Sequence, residues 1–263
     1  MTDWLELCRA AVADVDAVLE RLPTRAEREP VVGAGLGGDE TTAIDRAAED
    51  AILARVRDAA GAVVSEEVGR IGGDARPLVV VDPIDGSLNA KRGIPFFSLS
   101  IAVAEGETMD DVVFGFVHDF GSGEEWTATH GEGAWLNGAP LGAERPKGEV
   151  EILSFEATRT SLVARDAPKV AELAHRLRIM GSLALSLCHL AAGRVDAVCS
   201  LKPARSVDIA AAQLLCREVG LAIDLFDVAD DFGAAPLDLE QRSRVVAAGS
   251  TAVCTRIAQA LSA

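Results

Sequence analysis

The sequence predicts a mixed fold in two parts, an α+β first lobe followed by an α/β second lobe, and three observations carry that prediction. Residues 98–136 hold a succession of short β-rich runs separated by Gly- and Asp-containing breaks, the pattern of consecutive antiparallel strands. From residue 150 onwards, strand-like and helix-like segments alternate, as they do when helices pack on a sheet. The chain opens on Leu7, Ala11, Val15, Val18 and Leu22 at helical spacing within residues 3–22, and the run stops at Pro23, so an amphipathic helix comes first.

The other elements follow in order. Residues 33–39 are glycine-rich and predict a loop, after which Thr41 or Thr42 caps a second helix reaching about residue 59. Val63-Val64 and residues 78–81 are short apolar runs between turn residues, hence buried strands. Residues 98–104 alternate and 112–117 are β-rich; 126–129 and 134–136 are shorter strand candidates. In the second part, residues 182–192 and 206–219 are the clearest helices, 245–247 a strand and 251–261 a closing helix. The stretch 141–149, with Pro146, Gly148 and several charges, marks the boundary between a lobe of residues 1–145 and one of residues 146–263.

Composition narrows the function. With 263 residues, 49% of them hydrophobic, the chain buries a real core. Its net charge of −16 gives no general attraction for nucleic acid or anionic membrane. Any phosphate must therefore be held locally, by cations or oriented N–H groups. The longest uncharged stretch, residues 179–193, is too short and polar to span a bilayer, and the N-terminus has no secretory pattern. The cysteines (8, 188, 199, 216, 254) are odd in number, contain no Cys-x-x-Cys pair and sit among apolar residues. They read as reduced core thiols of a cytoplasmic protein. The four scattered histidines lack metal-ligand spacing.

The sharpest local feature is Val81-Asp82-Pro83-Ile84-Asp85-Gly86-Ser87-Leu88-Asn89. A strand delivers Asp82 at its carboxyl end, and a turn at Pro83 brings Asp85 back towards it. Two carboxylates so placed repel one another unless a cation lies between them. With the Ile84 carbonyl they form an oxygen donor set suited to Mg²⁺ or Mn²⁺. Gly86 and Ser87 begin a helical turn whose free N–H groups suit a phosphate. Glu66-Glu67 ends another buried strand, Asp208 lies in the first turn of an Ala-rich helix, and Asp45 lies one turn into the second helix. Taken singly, each has a plain structural role: a solvated strand end, or a helix-dipole partner.

Together these segments resemble the inositol monophosphatase superfamily of Mg²⁺-dependent, Li⁺-sensitive phosphatases, in the family's order and over nearly the whole chain. The resemblance rests on Asp39-x-x-Thr42-x-x-Asp45, Glu66-Glu67, Asp82-Pro-Ile-Asp85-Gly-Ser87-x-Asn89 and Asp208-Ile-Ala-Ala. Asn89-Ala-Lys-Arg92-Gly-Ile-Pro95-Phe, Phe114-Gly-Phe-Val-His118, Gly131-Glu-Gly-Ala-Trp-Leu-Asn137-Gly and Arg178-Ile-Met-Gly181-Ser resemble the archaeal-type branch that hydrolyses both fructose 1,6-bisphosphate and inositol 1-phosphate. The resemblance implies a layered αβαβα sandwich, a homodimer, and two or three Mg²⁺ ions. It assigns Glu66, Asp82, the Ile84 carbonyl, Asp85 and Asp208 to the metals, and Asp45 with Ser87 to orienting and activating the attacking water. It assigns Asp85, Gly86, Ser87, Arg178, Leu183 and Lys202 to the substrate. Ser87 stands where the family usually has Thr, Lys202 where the branch commonly has Arg, and Ser200 where it commonly has Asp; the segment between Ser200 and Asp208 is also shortened.

The expected reaction is in-line attack of metal-activated water on a small sugar or polyol phosphate, since no Cys-x₅-Arg or phosphorylatable Asp loop suggests a covalent route. A second substrate phosphate would need cations beyond the metals: Arg178, Lys202, Arg92 or Arg205. A nucleotide phosphatase acting on 3′-phosphoadenosine 5′-phosphate or NADP would need an adenine platform, and the chain has no Tyr and 4% aromatics. A non-catalytic, ligand-sensing relative would be expected to have lost metal ligands, and every matched acidic position is present.

Overall fold

A computed structural model describes residues 2–36, 40–156, 159–228 and 231–263. Helix α1 (Trp4–Arg21) and a single turn, α2 (Arg25–Arg28), precede a small hairpin of β1 (Val31–Ala34) and β2 (Glu40–Thr42), then α3 (Ala43–Val56). Next come β3 (Ala62–Ser65), β4 (Gly69–Ile71), β5 (Leu78–Asp85), α4 (Ser87–Arg92), β6 (Ser98–Ala104), β7 (Val112–Asp119), β8 (Glu125–Thr129), β9 (Gly133–Leu136) and β10 (Ala139–Pro140). The second half runs β11 (Val150–Glu156), α5 (Thr160–Asp166), β12 (Ala174–Arg178), α6 (Leu183–Ala191), β13 (Ala197–Ser200), α7 (Ser206–Glu218), β14 (Ala222–Leu225), β15 (Val245–Ala248) and α8 (Thr251–Ser262).

Two large sheets organise these elements. The first has eight strands in the order β10-β9-β8-β7-β6-β5-β3-β4, antiparallel except for the parallel pair β3 and β5. The second has five, in the order β12-β11-β13-β15-β14. Side-chain alternation builds the layers. On β5, Val79 and Val81 pack with Val15 of α1 and Ile52 of α3, while Leu78 and Val80 pack with Leu185 of α6 and Leu214 of α7. On β15, Val245 and Ala247 face the same α6/α7 layer, and Val246 and Ala248 face Ile257 and Leu261 of α8. Helices, sheet, helices, sheet and helices therefore follow one another, the αβαβα sandwich that the sequence resemblance implied.

Two element boundaries differ from the sequence reading, and one residue of its motifs is not described. Gly33 and Ala34 belong to a strand of the small hairpin instead of a loop. All four residues of β1 are exposed, so there was no burial alternation to read. Asp39 of the Asp-x-x-Thr motif lies outside the described residues. The second helix ends at Val56. All five cysteines are buried and unpaired. Among the described residues, no helix is long and apolar enough to cross a membrane.

Candidate active site

The acidic residues reach one place because strand ends and helix starts meet there. Parallel pairing sets Ser65 of β3 beside Val81 of β5, so Glu66 and Asp82 come next on adjacent strands. β5 does not stop at Asp82, as the sequence suggested, but runs on through a bulge. Asp82 opposes Ser100 and Asp85 opposes Ser98, with one extra residue on β5. Pro83 has no N–H to give a ladder, so a bulge accommodates it. Asp82, 1% exposed, folds back so that Oδ1 accepts the Ile84 N–H at 3.1 Å.

Gly86 closes the bulge and starts α4 with φ +90°. A Cβ there would lie 3.0 Å from the Phe96 carbonyl oxygen and 3.1 Å from that of Gly181, so both conformation and space require glycine. Asp85 reaches the start of α6, where Oδ2 accepts the Ser182 hydroxyl at 2.6 Å and the Ala184 N–H at 2.7 Å. Asp45 and Asp208 occupy equivalent third positions of α3 and α7. Each turns Oδ2 back onto a backbone N–H just before its helix, that of Thr42 at 3.0 Å and that of Arg205 at 2.7 Å. Both therefore serve helix capping, the plain role the sequence offered, while facing the cleft.

These groups line a cleft of about 520 Å³. The structure brings Asp45, Glu66, Asp82, Ile84, Asp85, Gly86, Ser87, Leu183, Lys202 and Asp208 together on its walls. It leaves Arg178 out: that side chain is exposed at the end of β12 and donates to the Leu177 carbonyl. Arg92 is likewise outside the lining and pairs with Glu29 at 3.0 Å.

Sequence reasoning passed over several residues that line the cleft or brace it from behind. Lys91 of α4 has its Nζ 3.8 Å from Asp45 Oδ2. Glu156, at the end of β11, accepts the Gly181 N–H and the Ser154 and Ser186 hydroxyls, all at 2.8 Å, and so braces the turn before α6. The strand-end rule that picked out Glu66 could have found it. Glu49, fully buried on α3, holds the turn that carries Glu66. Its Oε1 accepts the Ser65 hydroxyl at 2.6 Å and the N–H groups of Glu67 and Val68 at 3.2 and 3.0 Å. Arg205, considered above as a cation for a second phosphate, instead sits among the acids, its Nη2 2.5 Å from Glu66 Oε1 and 2.9 Å from Asp208 Oδ1.

Eight carboxylates face three cationic side chains in the lining. Burial, then repulsion from Glu66, Asp85 and Asp208, pushes the Asp82 carboxyl well above its ordinary range. Burial also raises Glu66 and Asp85, each to about 7, the latter despite the Ser182 hydrogen bond. Such a site favours a neutralising cation. The donors are carboxylate oxygens with a neighbouring backbone carbonyl, the chemistry that hard divalent ions take, so the residues fit Mg²⁺ or Mn²⁺. As the side chains stand, however, no group of three or more His, Cys, Asp or Glu among the described residues is arranged to hold a metal ion. Glu66 and Asp208 are instead bridged by Arg205.

A layered sandwich with an acidic cleft where its strand ends meet its helix starts defines a class of phosphate monoester hydrolase. The chain belongs to the inositol monophosphatase family, whose profile matches residues 3–263. It is 31% identical over 221 residues to the fructose-1,6-bisphosphatase/inositol-1-monophosphatase of Methanocaldococcus jannaschii, covering 84% of this chain and 85% of that one. It is 30% identical to the protein of the same description from Methanothermobacter thermautotrophicus, covering 98% and 96%. A solved structure described as an inositol monophosphatase–fructose 1,6-bisphosphatase superposes with a TM-score of 0.87 at 29% identity, covering 99% of this chain and all of that one.

Proposed function

We propose that this cleft hydrolyses the phosphate ester of a small sugar or polyol, fructose 1,6-bisphosphate or inositol 1-phosphate, with two or three Mg²⁺ ions. The observation that carries this reading is the convergence of Glu66, Asp82, Asp85 and Asp208, from three separate parts of the chain, beside the Gly86–Ser87 turn. Divalent ions held there supply a nucleophilic oxygen at neutral pH and neutralise the leaving group.

The chain's own residues do the rest. Asp45, fixed by Thr42, takes the proton of the attacking water through the Ser87 hydroxyl. The Gly86 and Ser87 N–H groups point the phosphate. The Ser182 and Ala184 donors hold one oxygen of Asp85 and leave the other for the site. Lys202 and Leu183 line the sugar side. A second substrate phosphate meets Lys202, because Arg178 stands outside the lining. With a net charge of −16, the protein repels an anionic substrate until cations are bound. The family resemblance supports a homodimer, and the buried, unpaired cysteines support a cytoplasmic setting.

The test is phosphate release with Mg²⁺ from fructose 1,6-bisphosphate, inositol 1-phosphate and 3′-phosphoadenosine 5′-phosphate, with Asp82→Asn as the blank. Turnover of either of the first two, lost in the variant and in EDTA, is expected. Turnover of the nucleotide alone would replace the substrate class, and undiminished ester binding in EDTA would remove the metal from the mechanism.

A further inference from the structure

The lining contains a cation whose position is set as firmly as that of the acids. Arg205 is 7% exposed, and its backbone has little room to move. Its N–H is held by Asp208 Oδ2, and the preceding residue, Ala204, is bridged to Ser243 through N–H to carbonyl bonds of 2.7 and 3.2 Å. Only the side chain is left to adjust. Nη2 is shared between Glu66 Oε1 and Asp208 Oδ1, and Nε lies 3.4 Å from Asp208 Oδ2. Nη1 is buried with no hydrogen-bond partner. A guanidinium inside a protein normally satisfies its donors, so one orphaned N–H group marks a side chain held by charge at the expense of its own hydrogen bonding.

Through Nη2, Arg205 therefore occupies one oxygen of each carboxylate, Oε1 of Glu66 and Oδ1 of Asp208. A divalent ion held by either carboxylate would draw on the same lone pairs, so guanidinium and metal would compete for them. One positive charge also neutralises this pair less fully than a divalent ion does. We infer that Arg205 is an internal counter-cation: it holds Glu66 and Asp208 together in the metal-free protein, and divalent ions that would draw on these carboxylates bind only as Arg205 gives them up. This rests on the metal-centre reading above and adds to it a built-in competitor. One ion then binds markedly more weakly than the others, and the metal-free fold survives with its acids paired.

Mn²⁺ binding, followed by the electron paramagnetic resonance of the free ion and by titration calorimetry, tests this on the wild type, Arg205→Met and Arg205→Lys. Removing the charge in Arg205→Met is expected to tighten the weakest Mn²⁺ at least tenfold, or to raise the number bound by one. Its thermal midpoint without metal falls below that of the wild type, and saturating Mn²⁺ narrows the gap. Arg205→Lys keeps the charge but not the fork that reaches both carboxylates, and lies between the two. It carries the test if the methionine variant does not fold without metal. Mn²⁺ affinity and stoichiometry within threefold of wild type in a folded variant would overturn this inference and leave the metal centre standing. Absence of Mn²⁺ binding in wild type and variants alike would overturn both. Binding by Arg205→Met alone would support the competition directly.

Discussion

At the scale of single residues, the site depends on positions where few alternatives fit. Gly86→Ala places a Cβ at φ +90° with contacts of 3.0 and 3.1 Å to two backbone carbonyl oxygens. Neither oxygen can yield without shifting the start of α4 or the turn before α6. The substitution is expected to cost about 1–3 kcal/mol, read from urea unfolding, and to lower kcat, since Ser87 and Asp85 flank the displaced residue. A midpoint unchanged from wild type would mean that the turn is softer than its packing indicates. Lys202→Ala is expected to lower kcat/KM for fructose 1,6-bisphosphate roughly tenfold, the worth of one charge-assisted hydrogen bond, and to affect inositol 1-phosphate less. Equal losses on both would show that Lys202 serves the common phosphate or the fold. The acids of the cleft were readable in the sequence because each ends a strand or begins a helix, where local pattern is strong. Glu156 was passed over although it too ends a strand, whereas the places of Arg205 and Lys91 were not readable, because nothing local says that Arg205 turns towards Glu66 or that Lys91 comes beside Asp45.

At the scale of elements, two carboxylates outside the cleft tie neighbouring segments together, one of them beneath the turn that carries Glu66. Glu49 on α3 gathers the Ser65 hydroxyl and the N–H groups of Glu67 and Val68 onto one oxygen. Glu49→Ala leaves these buried donors unpaired, at an expected cost of about 2–4 kcal/mol. It should raise the Mg²⁺ concentration for half-maximal activity more than it raises KM for the ester. Glu49→Gln keeps an acceptor oxygen and is expected to lose less than half as much. Near the start of β5, Glu107 accepts both terminal nitrogens of Arg70 at 2.8 Å and also pairs with Arg76, tying β4 and the segment that follows it to the one before β7. Hydrogen bonds from Arg70 and then Arg76 hold its pKa at about 2, below the ordinary 4.5. A carboxyl whose folded-state pKa is depressed stabilises the fold above its unfolded pKa and loses that contribution as pH falls through the folded one. The site is 41% exposed, so screening limits the gain to about 1 kcal/mol or less. The gap in Tm between wild type and Glu107→Gln should therefore be constant above pH 5 and close as pH drops from 4.5 towards 2. A gap independent of pH in scanning fluorimetry would assign the effect to packing. Most strands and helices were readable from their apolar period. The small hairpin was not, having no buried face, and the bulge in β5 was missed because a proline after a strand reads first as a stop.

At the scale of the molecule, the order of the layers was out of reach of local pattern, since periodicity says that a helix has an apolar face but not which sheet covers it. Here it took the family resemblance to supply the layering, and the packing gives the reason for it. Helices α6 and α7 bury apolar residues against both sheets: Leu78, Val80 and Trp126 from one side of the 141–149 connection share a core with Leu185, Leu187, Leu214 and Val245 from the other. We propose that this connection separates the two lobes in sequence while the shared helical layer makes them one folding unit. A chain of residues 1–145 would expose the whole inner face of the first sheet to water, an apolar area too large for a soluble monomer. That fragment is expected to aggregate or to unfold without a cooperative transition. The full chain is expected to melt in a single calorimetric transition whose van't Hoff and calorimetric enthalpies agree. The cleft adds a second constraint, because its acids come from both sides of the same connection: Glu66, Asp82 and Asp85 from the first lobe, Asp208 from the second. Ions bound between them favour only the state in which both lobes are folded and docked. Mg²⁺ should therefore raise that single transition as a whole, by about 2.7 kcal/mol at a free concentration one hundred times Kd. If instead the melt resolves into two transitions and Mg²⁺ moves one of them, the lobes fold separately and the α6/α7 layer belongs to the second lobe alone.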